Sequence, residues 1–567
     1  MTKEVADILQ RFKTLAGERR EWESHWQELA EVMLPRRVGF TGEPRPGAKR
    51  TDKIFDGTPM LARRGLAATI DGLLKPKTAR WFRVRAEDEA LDRDDEVRAW
   101  LDHVEDRLFA AIYNPRARFV QRSGEVDDDL VTFGTGVLYI GESRALDRLA
   151  FRSAHLRDAF ICENADGEVD TLFLRMRLSA RQAVQRFGED RVGAKTREAI
   201  AKGEPDRPVT FLQAVMPRAD RDPRRADAVN LPFASVVIDV ESEHKVGGSG
   251  FHEFPFAVPR WDTATGETYG RSPGMIALPD ANTLQQMGKT ILVAGHKAVD
   301  PPLVQVNDAV IGTARTFPGG VSYIDAQAIR DLGGTRPIAP LETGGNIPLG
   351  REMQNDTRRQ IEAAFFRNVF NLPVDGPQMT ATEILERKDE FLRTVGPVIG
   401  RLEADYIGVV PRRCFRILAR ARVFRDPPPR LRGCPLRFDV ASAVEQARRQ
   451  IEAAGAARAM ELLAPFLSAN PELIDNFDTD AIARDLPDIF ALPRGWLRPQ
   501  HEVFEMREAR LRGQQVAELL QGAGQAVEIA EGLGRAGAGL RRDEAAVGSP
   551  KAAFGRPEAA SAAQAGK

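Results

Sequence analysis

The sequence predicts an α+β protein of several domains, and three observations support this prediction. Helical periodicity of apolar residues dominates the N-terminal and C-terminal parts of the chain. The middle part instead shows alternating apolar residues with short connections, which are typical of an antiparallel sheet. The chain has 567 residues, of which 43% are hydrophobic, so it is long enough for about three or four domains with cores of their own.

The predicted elements follow one another as helices, then a strand-rich region, then helices again. Helical periodicity predicts helices over residues 4–34, 52–74, 94–113, 179–201, 280–299, 349–370, 379–422, 441–468, 478–490 and 502–532. Residues 119–140 are predicted to begin as a helix and to turn into a strand near Gly134. Alternation predicts strands over residues 81–84, 137–140, 169–177, 209–216, 232–240 and 436–440, and one near Phe151. Residues 533–567 are rich in Ala and Gly and show no periodicity, so we expect a disordered tail.

Local signals mark several helix ends. Arg19 interrupts the apolar stripe of the first helix, and Pro35 ends it. Thr58 followed by Pro59 is the expected start of the second helix, since proline fits the first helical position. Asp280 after Pro279 is the expected start of the helix at residues 280–299.

Residues 379–422 form the longest predicted helix. Thr380 and Glu383 have the spacing of a capping box, and apolar residues recur along one face. Gly396 and Pro397 lie in the middle of this pattern, where proline removes a backbone hydrogen bond and predicts a kink. Such a helix fits the core of a large domain, and it also fits side-by-side packing of helices from several subunits.

Composition limits the classes of partner and compartment. Lys and Arg number 81 and Asp and Glu 82, so the chain lacks the overall basic character of a DNA-wrapping protein. Its cysteines, Cys162, Cys414 and Cys434, are far apart, which argues against a disulfide framework and favours a reducing compartment. The N-terminus lacks the apolar core of a secretory signal, and no apolar run is long enough for a membrane span. We therefore expect an intracellular protein without membrane contact.

Motifs for catalysis are missing from the sequence. Residues 288–290 resemble the end of a phosphate-binding loop, but the required earlier glycine is replaced by Thr283, and the triplet lies in a predicted helix. Residues 127–129 are three aspartates, for which the polar face of a helix is a better interpretation than a metal site. The sequence thus predicts no catalytic, cofactor-binding or metal-binding residues, and it favours a structural or binding role.

Several motifs, taken in their order, resemble one family: the head-to-tail connector, or portal, proteins of short-tailed bacteriophages. The similarity extends over roughly residues 5–425. Its most specific motifs are YGRSP at residues 269–273 and MTATE at residues 379–383. The other motifs are a Trp-rich first helix ending in LPRR, KIFDGTPMLARRGLAATIDGLLKPKTARWFRV, DLVTFGTGVLYIGE, EFPFAVPRW and a PP…PGG segment.

The resemblance implies a phage portal fold with named parts. Its parts are an α+β wing (residues 1–278), two stem helices (279–299 and 349–370), a strand-containing clip (300–348), a tunnel loop (371–378), a long kinked helix returning to the wing (379–439), a helical crown (440–532) and the tail (533–567). The tunnel loop would present these residues to DNA: Asn371, Leu372, Val374, Asp375, Gly376 and Gln378.

The resemblance also implies a function and partners. It implies a ring of about twelve subunits at one capsid vertex of the virion, assembled in the host cytoplasm. Double-stranded DNA would pass through the ring during packaging and ejection. The large terminase and later tail adaptor proteins would dock on it, and major capsid and scaffolding proteins would surround it. The alternatives are a scaffold or adaptor protein that forms no ring, and a DNA-packaging enzyme.

Overall fold

The computed structural model combines helices and antiparallel sheets, which confirms the α+β class. It describes residues 2–43, 47–92, 94–143, 147–222, 224–225, 227–305, 310–311, 322–331, 338–340, 346–367 and 396–440, with short segments between residues 453 and 514. The chain divides into two compact units, Met1–Leu492 and Pro493–Lys567. Apart from the helical segment at residues 502–514, the structural features described below lie in the first unit.

The described helices and strands follow the predicted order. The helices are α1 Lys3–Glu18, α2 Arg20–Met33, α3 Thr58–Leu74, α4 Glu89–Asp92, α5 Asp95–Ile112, α6 Phe119–Phe133, α7 Ala180–Phe187, α8 Ala194–Ala201, α9 Pro273–Val299, α10 Ala326–Asp331 and α11 Ile347–Ala364, followed by a helix at Val409–Arg420. The strands are β1 Phe82–Ala86, β2 Leu138–Glu142, β3 Leu149–Ser153, β4 Ala159–Glu163, β5 Val169–Ser179, β6 Pro208–Pro217, β7 Phe233–Asp239, β8 His244–Phe251, β9 Phe256–Ala257, β10 Leu303–Gln305, β11 Val310–Ile311, β12 Tyr323–Ile324, β13 Ile338–Pro340 and β14 Leu436–Val440.

The strands form small antiparallel sheets around a helical core. One sheet has five strands in the order β4-β5-β6-β7-β8, and another has three in the order β3-β2-β9. Strands β1 and β14 pair although they are far apart in sequence, with Phe82 opposite Val440 and Ala86 opposite Leu436. The main core contains the fully buried side chains of Trp26, Trp81 and Tyr406.

The predicted helix at residues 4–34 is two helices, and Arg19 is the break between them. The Arg19 side chain is 1% exposed and donates hydrogen bonds to the carbonyl oxygens of Leu156, Arg157 and Ala159. The charge that interrupts the apolar stripe is therefore an internal contact between the N-terminal helices and the strand-rich region.

The helix predicted to begin at Asp280 begins at Pro273 instead. The Ser272 hydroxyl accepts a hydrogen bond from the Met275 N–H at 3.0 Å, which caps this earlier start. Pro279 lies inside the helix, where its missing N–H deprives only the Met275 carbonyl of a helical partner.

Two other helix predictions also need correction. Thr58 lies within α3 rather than capping it, because the Asp56 carboxylate accepts the Thr58 N–H at 2.8 Å. The predicted helix at residues 179–201 is interrupted at Gly188, whose φ of 92° ends α7 before α8 begins.

The described part of the long C-terminal helix contains a wide turn. Residues 396–402 are helical, and a π-helical turn follows at Glu403–Ile407, closed by a 2.8 Å hydrogen bond from the Gly408 N–H to the Glu403 carbonyl. Pro411 follows in the next helix and cannot donate to the Ile407 carbonyl, so the regular α-helical ladder is interrupted here. Farther along the chain, residues 455–466 and 502–514 are helical, whereas residues 533–567 lie outside the described residues.

Candidate functional site

Helices α9 and α11 pack side by side as an antiparallel hairpin. Gly288 of α9 lies opposite Gln354 of α11, and Ile291 lies opposite Gly350, so the two helices run in opposite directions. Glycine allows this close approach, since a Cβ atom at residue 350 would lie 3.1 Å from the Ile291 side chain. The Gly288–Thr290 triplet is therefore part of a helix-packing surface rather than of a phosphate-binding loop.

The α9–α11 hairpin exposes several large apolar side chains. Val299 is 87% exposed and Ile276 is 72% exposed. Four more are also exposed: Leu292, Val293, Leu349 and Met353. Apolar groups concentrated on one exposed element are typical of a protein–protein contact surface.

The charges of the α9–α11 hairpin nearly balance. Helix α9 carries Asp280, Lys289 and Lys297, which sum to +1. Helix α11 carries three positive and three negative side chains, which sum to zero: Arg351, Arg358 and Arg359 with Glu352, Asp356 and Glu362. The summed charge of the hairpin, +1, is low for an element that would grip phosphates.

A hydrogen-bonded clasp joins the α9–α11 hairpin to the segment before α3. The backbone N–H groups of Phe55 and Asp56 both donate to the Gln285 side-chain oxygen, at 2.6 and 2.9 Å. The Arg358 guanidinium donates to the Asp56 carboxylate at 2.9 and 2.7 Å. Burial opposes ionisation of Asp56, but hydrogen bonds from Thr58 and Arg358 outweigh it and lower the pKa of this carboxyl.

The start of α9 is fixed to the end of α6 by backbone contacts. Gly134 ends α6 with φ at 81°, and its carbonyl accepts the Trp261 N–H at 2.9 Å. The Gly270 N–H donates to the Thr135 hydroxyl at 2.9 Å. The Ser272 hydroxyl donates to the Thr132 carbonyl at 2.8 Å. Two motifs of the predicted resemblance, TFGTG and YGRSP, thus contact each other directly.

Replacing Gly134 by alanine is expected to lower the free energy of unfolding by about 2–3 kcal/mol. Alanine is strained at positive φ, and its methyl group would collide with the Gly270 carbonyl oxygen. The measurement is the urea unfolding midpoint followed by circular dichroism. Gly124→Ala is the control within α6, because nothing lies within 4 Å of a Cβ atom there. The free energy of unfolding of that control should rise by up to about 1 kcal/mol. Equal stability of the two variants would contradict the prediction.

The aspartates at residues 127–129 are ion-pair partners rather than the polar face of a helix, which corrects the sequence-based interpretation: Asp127 and Asp129 are buried, and Asp128 is partly buried. The Lys75 ammonium lies 2.5 Å from the Asp127 carboxylate, and both side chains are 1% exposed. Lys75 also donates to the Tyr406 hydroxyl at 3.2 Å. Burial raises the pKa of Asp127 to about 6, although Lys75 opposes this shift.

The two following aspartates also face arginines inside the protein. Arg63 pairs with Asp128 at 2.5 Å, and the Arg37 Nε atom lies 3.0 Å from Asp129. Burial raises the pKa of Asp129 to about 7, with Arg37 opposing the shift. Among the described residues, no group of His, Cys, Asp or Glu is arranged to hold a metal ion.

The structure describes only part of the sequence-predicted site. The tunnel-loop residues at 371–378 and the capping pair Thr380 and Glu383 lie outside the described residues. Gly396 is half-buried and Pro397 is exposed in the helical segment at 396–402. The residues just before them are not described, so the kink stays a prediction.

Sequence reasoning missed several internal charges, including Arg19, Lys75 and Arg413. Arg413 is 5% exposed and donates to the Ile140 carbonyl at 2.7 Å. Each of these residues lies within or beside a stretch of helical periodicity. A cation that interrupts an apolar stripe is therefore the sequence signal by which such internal charges could have been found.

Within the described ranges, no helix has both the length and the apolar character needed to cross a membrane.

Solved structures that align with this chain include two from gene transfer agent particles. The virion of a native particle aligns with a TM-score of 0.34 and 12% sequence identity, covering 78% of this chain and 95% of that chain. The neck of an empty particle aligns with the same TM-score and identity, covering 80% and 96%.

Sequence comparison gives stronger matches. The "Probable portal protein" of Bordetella phage BPP-1 is 30% identical over 534 residues, 92% of this chain and 94% of that protein. The "Portal protein" of Salmonella phage epsilon15 is 28% identical over 520 residues, 90% of this chain and 92% of that protein. The family model described as "Bacteriophage head to tail connecting protein" matches residues 5–497. The chain therefore belongs to the bacteriophage head-to-tail connecting protein family.

Proposed function

We propose that this head-to-tail connecting protein assembles into a ring of about twelve subunits at one capsid vertex of a phage virion. The ring is the channel through which double-stranded DNA enters the capsid and later leaves it. The α9–α11 hairpin surrounds the channel as the stem, and the tunnel loop at residues 371–378 faces the DNA. The subunits assemble in the host cytoplasm, and no enzymatic step belongs to their role.

The α9–α11 hairpin is the observation that carries this proposal. Its exposed apolar side chains, among them Val299 and Leu292, are not covered by the described residues of a single chain. A ring buries such groups between neighbouring subunits through head-to-tail contacts. The Asp56 and Gln285 clasp holds the hairpin at a fixed place on the rest of the subunit.

The charge balance of the hairpin supports a sliding contact with DNA. Each lysine or arginine that neutralises a phosphate releases counterions and strengthens the grip on the duplex. A helix pair with a summed charge of +1 avoids a strong grip of this kind. The proposed tunnel-loop residues also include no Lys or Arg.

The proposed partners follow from the position of each part in the ring. The large terminase, and afterwards the tail adaptor proteins, dock on the clip at residues 300–348. The major capsid and scaffolding proteins contact the wing at residues 1–278 during assembly. The crown at residues 440–532 faces the inside of the capsid.

Native mass spectrometry with negative-stain imaging tests the ring. The wild-type chain is expected to form closed rings with a central hole. The double variant Leu292→Glu with Val293→Glu should not form them, because charges would enter the contact between stems. Val229→Glu replaces an apolar residue that is 57% exposed and lies outside the hairpin, and it should assemble normally. A wild-type chain that forms only a compact dimer or tetramer would contradict the proposal.

A further inference from the structure

A second concave surface lies away from the α9–α11 hairpin. It is a cavity of about 1260 Å³ between the helix at Val409–Arg420, the segment at residues 422–438 and Trp100 of α5. We call it the arginine groove. No role assigned above uses it.

The arginine groove carries a strong excess of positive charge. Its lining contains two acidic residues, Glu87 and Asp426, and six arginines: Arg412, Arg416, Arg422, Arg425, Arg432 and Arg437. The lining therefore sums to +4. In a chain with a net charge of −1, this is a local concentration of guanidinium groups rather than a reflection of composition.

Most of these guanidinium groups are not used by the fold. Within the described part of the chain, Arg412, Arg422, Arg425 and Arg432 have no carboxylate at ion-pair distance. The same helix contains arginines that are used differently. Arg413 and Arg420 pair with Glu253 at 3.0 and 2.7 Å, and Arg416, which also lines the groove, lies 3.9 Å from the same carboxylate. The helix therefore holds some of its arginines in structural ion pairs, whereas Arg412 is left to the groove.

The floor of the arginine groove is built from packed aromatic side chains. Phe415 stacks on Phe424 with ring centroids 5.2 Å apart and also contacts Phe438 at 5.4 Å. The Trp100 indole donates to the Arg425 carbonyl at 2.9 Å, which fixes one wall. An apolar floor below a rim of guanidinium groups can accept an apolar side chain whose neighbours in the bound polypeptide are acidic.

The shape of the groove selects among anionic partners. A cavity of about 1260 Å³ is too small to enclose a DNA duplex. A single strand binds through bases stacked on open aromatic faces, but Phe415 already stacks on Phe424 and is in contact with the tilted ring of Phe438. Carboxylates match the planar fork of arginine, which binds them through paired hydrogen bonds.

We propose that the arginine groove binds an acidic polypeptide segment of a partner protein, with one apolar side chain seated on the Phe415–Phe424 floor. The segment lies along the rim, where its carboxylates pair with Arg412, Arg422 and Arg432. The groove is lined by residues of a single chain, so peptide binding and the ring of the proposed function are tested by separate experiments.

Binding of a fluorescent peptide to the purified full-length chain tests the proposal by fluorescence anisotropy. The probe is a short synthetic peptide of glutamates around a central leucine, and its matched partner has glutamine at every glutamate. The acidic peptide should bind, and the glutamine peptide should bind at least about tenfold more weakly. The double variant Arg422→Gln with Arg432→Gln should show a similar loss. The matched control, Arg64→Gln with Arg107→Gln, removes two exposed arginines of α3 and α5 outside the groove and should bind as the wild type does.

Several results would overturn the proposal. Equal affinity for the acidic and glutamine peptides would show that the guanidinium groups are not the binding element. Displacement of the peptide by a single-stranded oligonucleotide, which itself binds more tightly, would assign the groove to nucleic acid. Loss of ring assembly in the groove variant, with normal assembly in the control, would make the groove a contact between copies of this chain. Circular dichroism of each variant separates these results from a failure to fold.

Discussion

Replacing Arg19 by alanine is expected to lower the free energy of unfolding by about 3–5 kcal/mol. The guanidinium donates to the carbonyl oxygens of Leu156 and Ala159 at 3.0 and 2.6 Å, and it pairs with Glu23 at 2.6 Å. It also lies 3.4 Å from the centre of the Phe160 ring. Alanine would leave buried carbonyl groups and one carboxylate without these partners, and water cannot readily replace the lost donors.

The neighbouring residue provides the control for this prediction. Arg20 is exposed, so Arg20→Ala removes the same charge one position along the chain, and its effect should stay within about 0.5 kcal/mol. Urea unfolding of both variants, followed by tryptophan fluorescence, gives the comparison. If Arg19→Ala were as stable as Arg20→Ala, the inferred contact between the N-terminal helices and the strand-rich region would be wrong.

Replacing Lys75 by methionine is expected to cost a similar free energy, about 3–5 kcal/mol at neutral pH. Lys75 and Asp127 are both 1% exposed, so the variant buries a carboxylate without its cation. Methionine has nearly the same length as the aliphatic part of lysine, and lost packing therefore contributes little.

The loss in the Lys75→Met variant should increase with pH. Burial already raises the pKa of Asp127 to about 6 in the folded protein, against 3.8 for an unperturbed group, and removal of Lys75 raises it further. The folded state then holds a proton that the unfolded state releases above pH of about 4, so stability falls as pH rises. Unfolding at pH of about 5 and about 8 measures this difference. Adding Asp127→Leu should restore most of the stability at pH of about 8. A pH-independent loss would contradict this explanation.

Sequence periodicity predicted the described elements well wherever packing follows a regular stripe. The strand at residues 436–440 and the helix-to-strand change near Gly134 were both predicted and are confirmed. Both depend on local signals, namely alternation and a glycine that permits positive φ. The tunnel loop stays a prediction, since residues 371–378 are outside the described ranges.

The features that sequence reasoning missed depend on distant partners. Nothing near Asp127 in the sequence shows that Lys75 lies against it. The run of aspartates in a predicted helix was therefore interpreted as a solvent-exposed face. The start of α9 is capped locally by Ser272, but the bond that holds Ser272 to the Thr132 carbonyl joins distant parts of the chain, which periodicity cannot detect. The arginine groove likewise forms only when Trp100 and Phe438 are brought to the same helix.

The pairing of β1 with β14 has a consequence for how the subunit is made. Synthesis of strand β1 is complete at residue 86, whereas its partner strand begins at residue 436. Strand β1 therefore has no partner until most of the chain has been synthesised. Contacts between such distant residues close late, because a long loop must be ordered first. Until then β1 has an open edge that can pair with the wrong chain. A polypeptide that ends before residue 436 keeps this edge unpaired permanently. We therefore expect incomplete subunits to aggregate or to be degraded before they can enter an assembly.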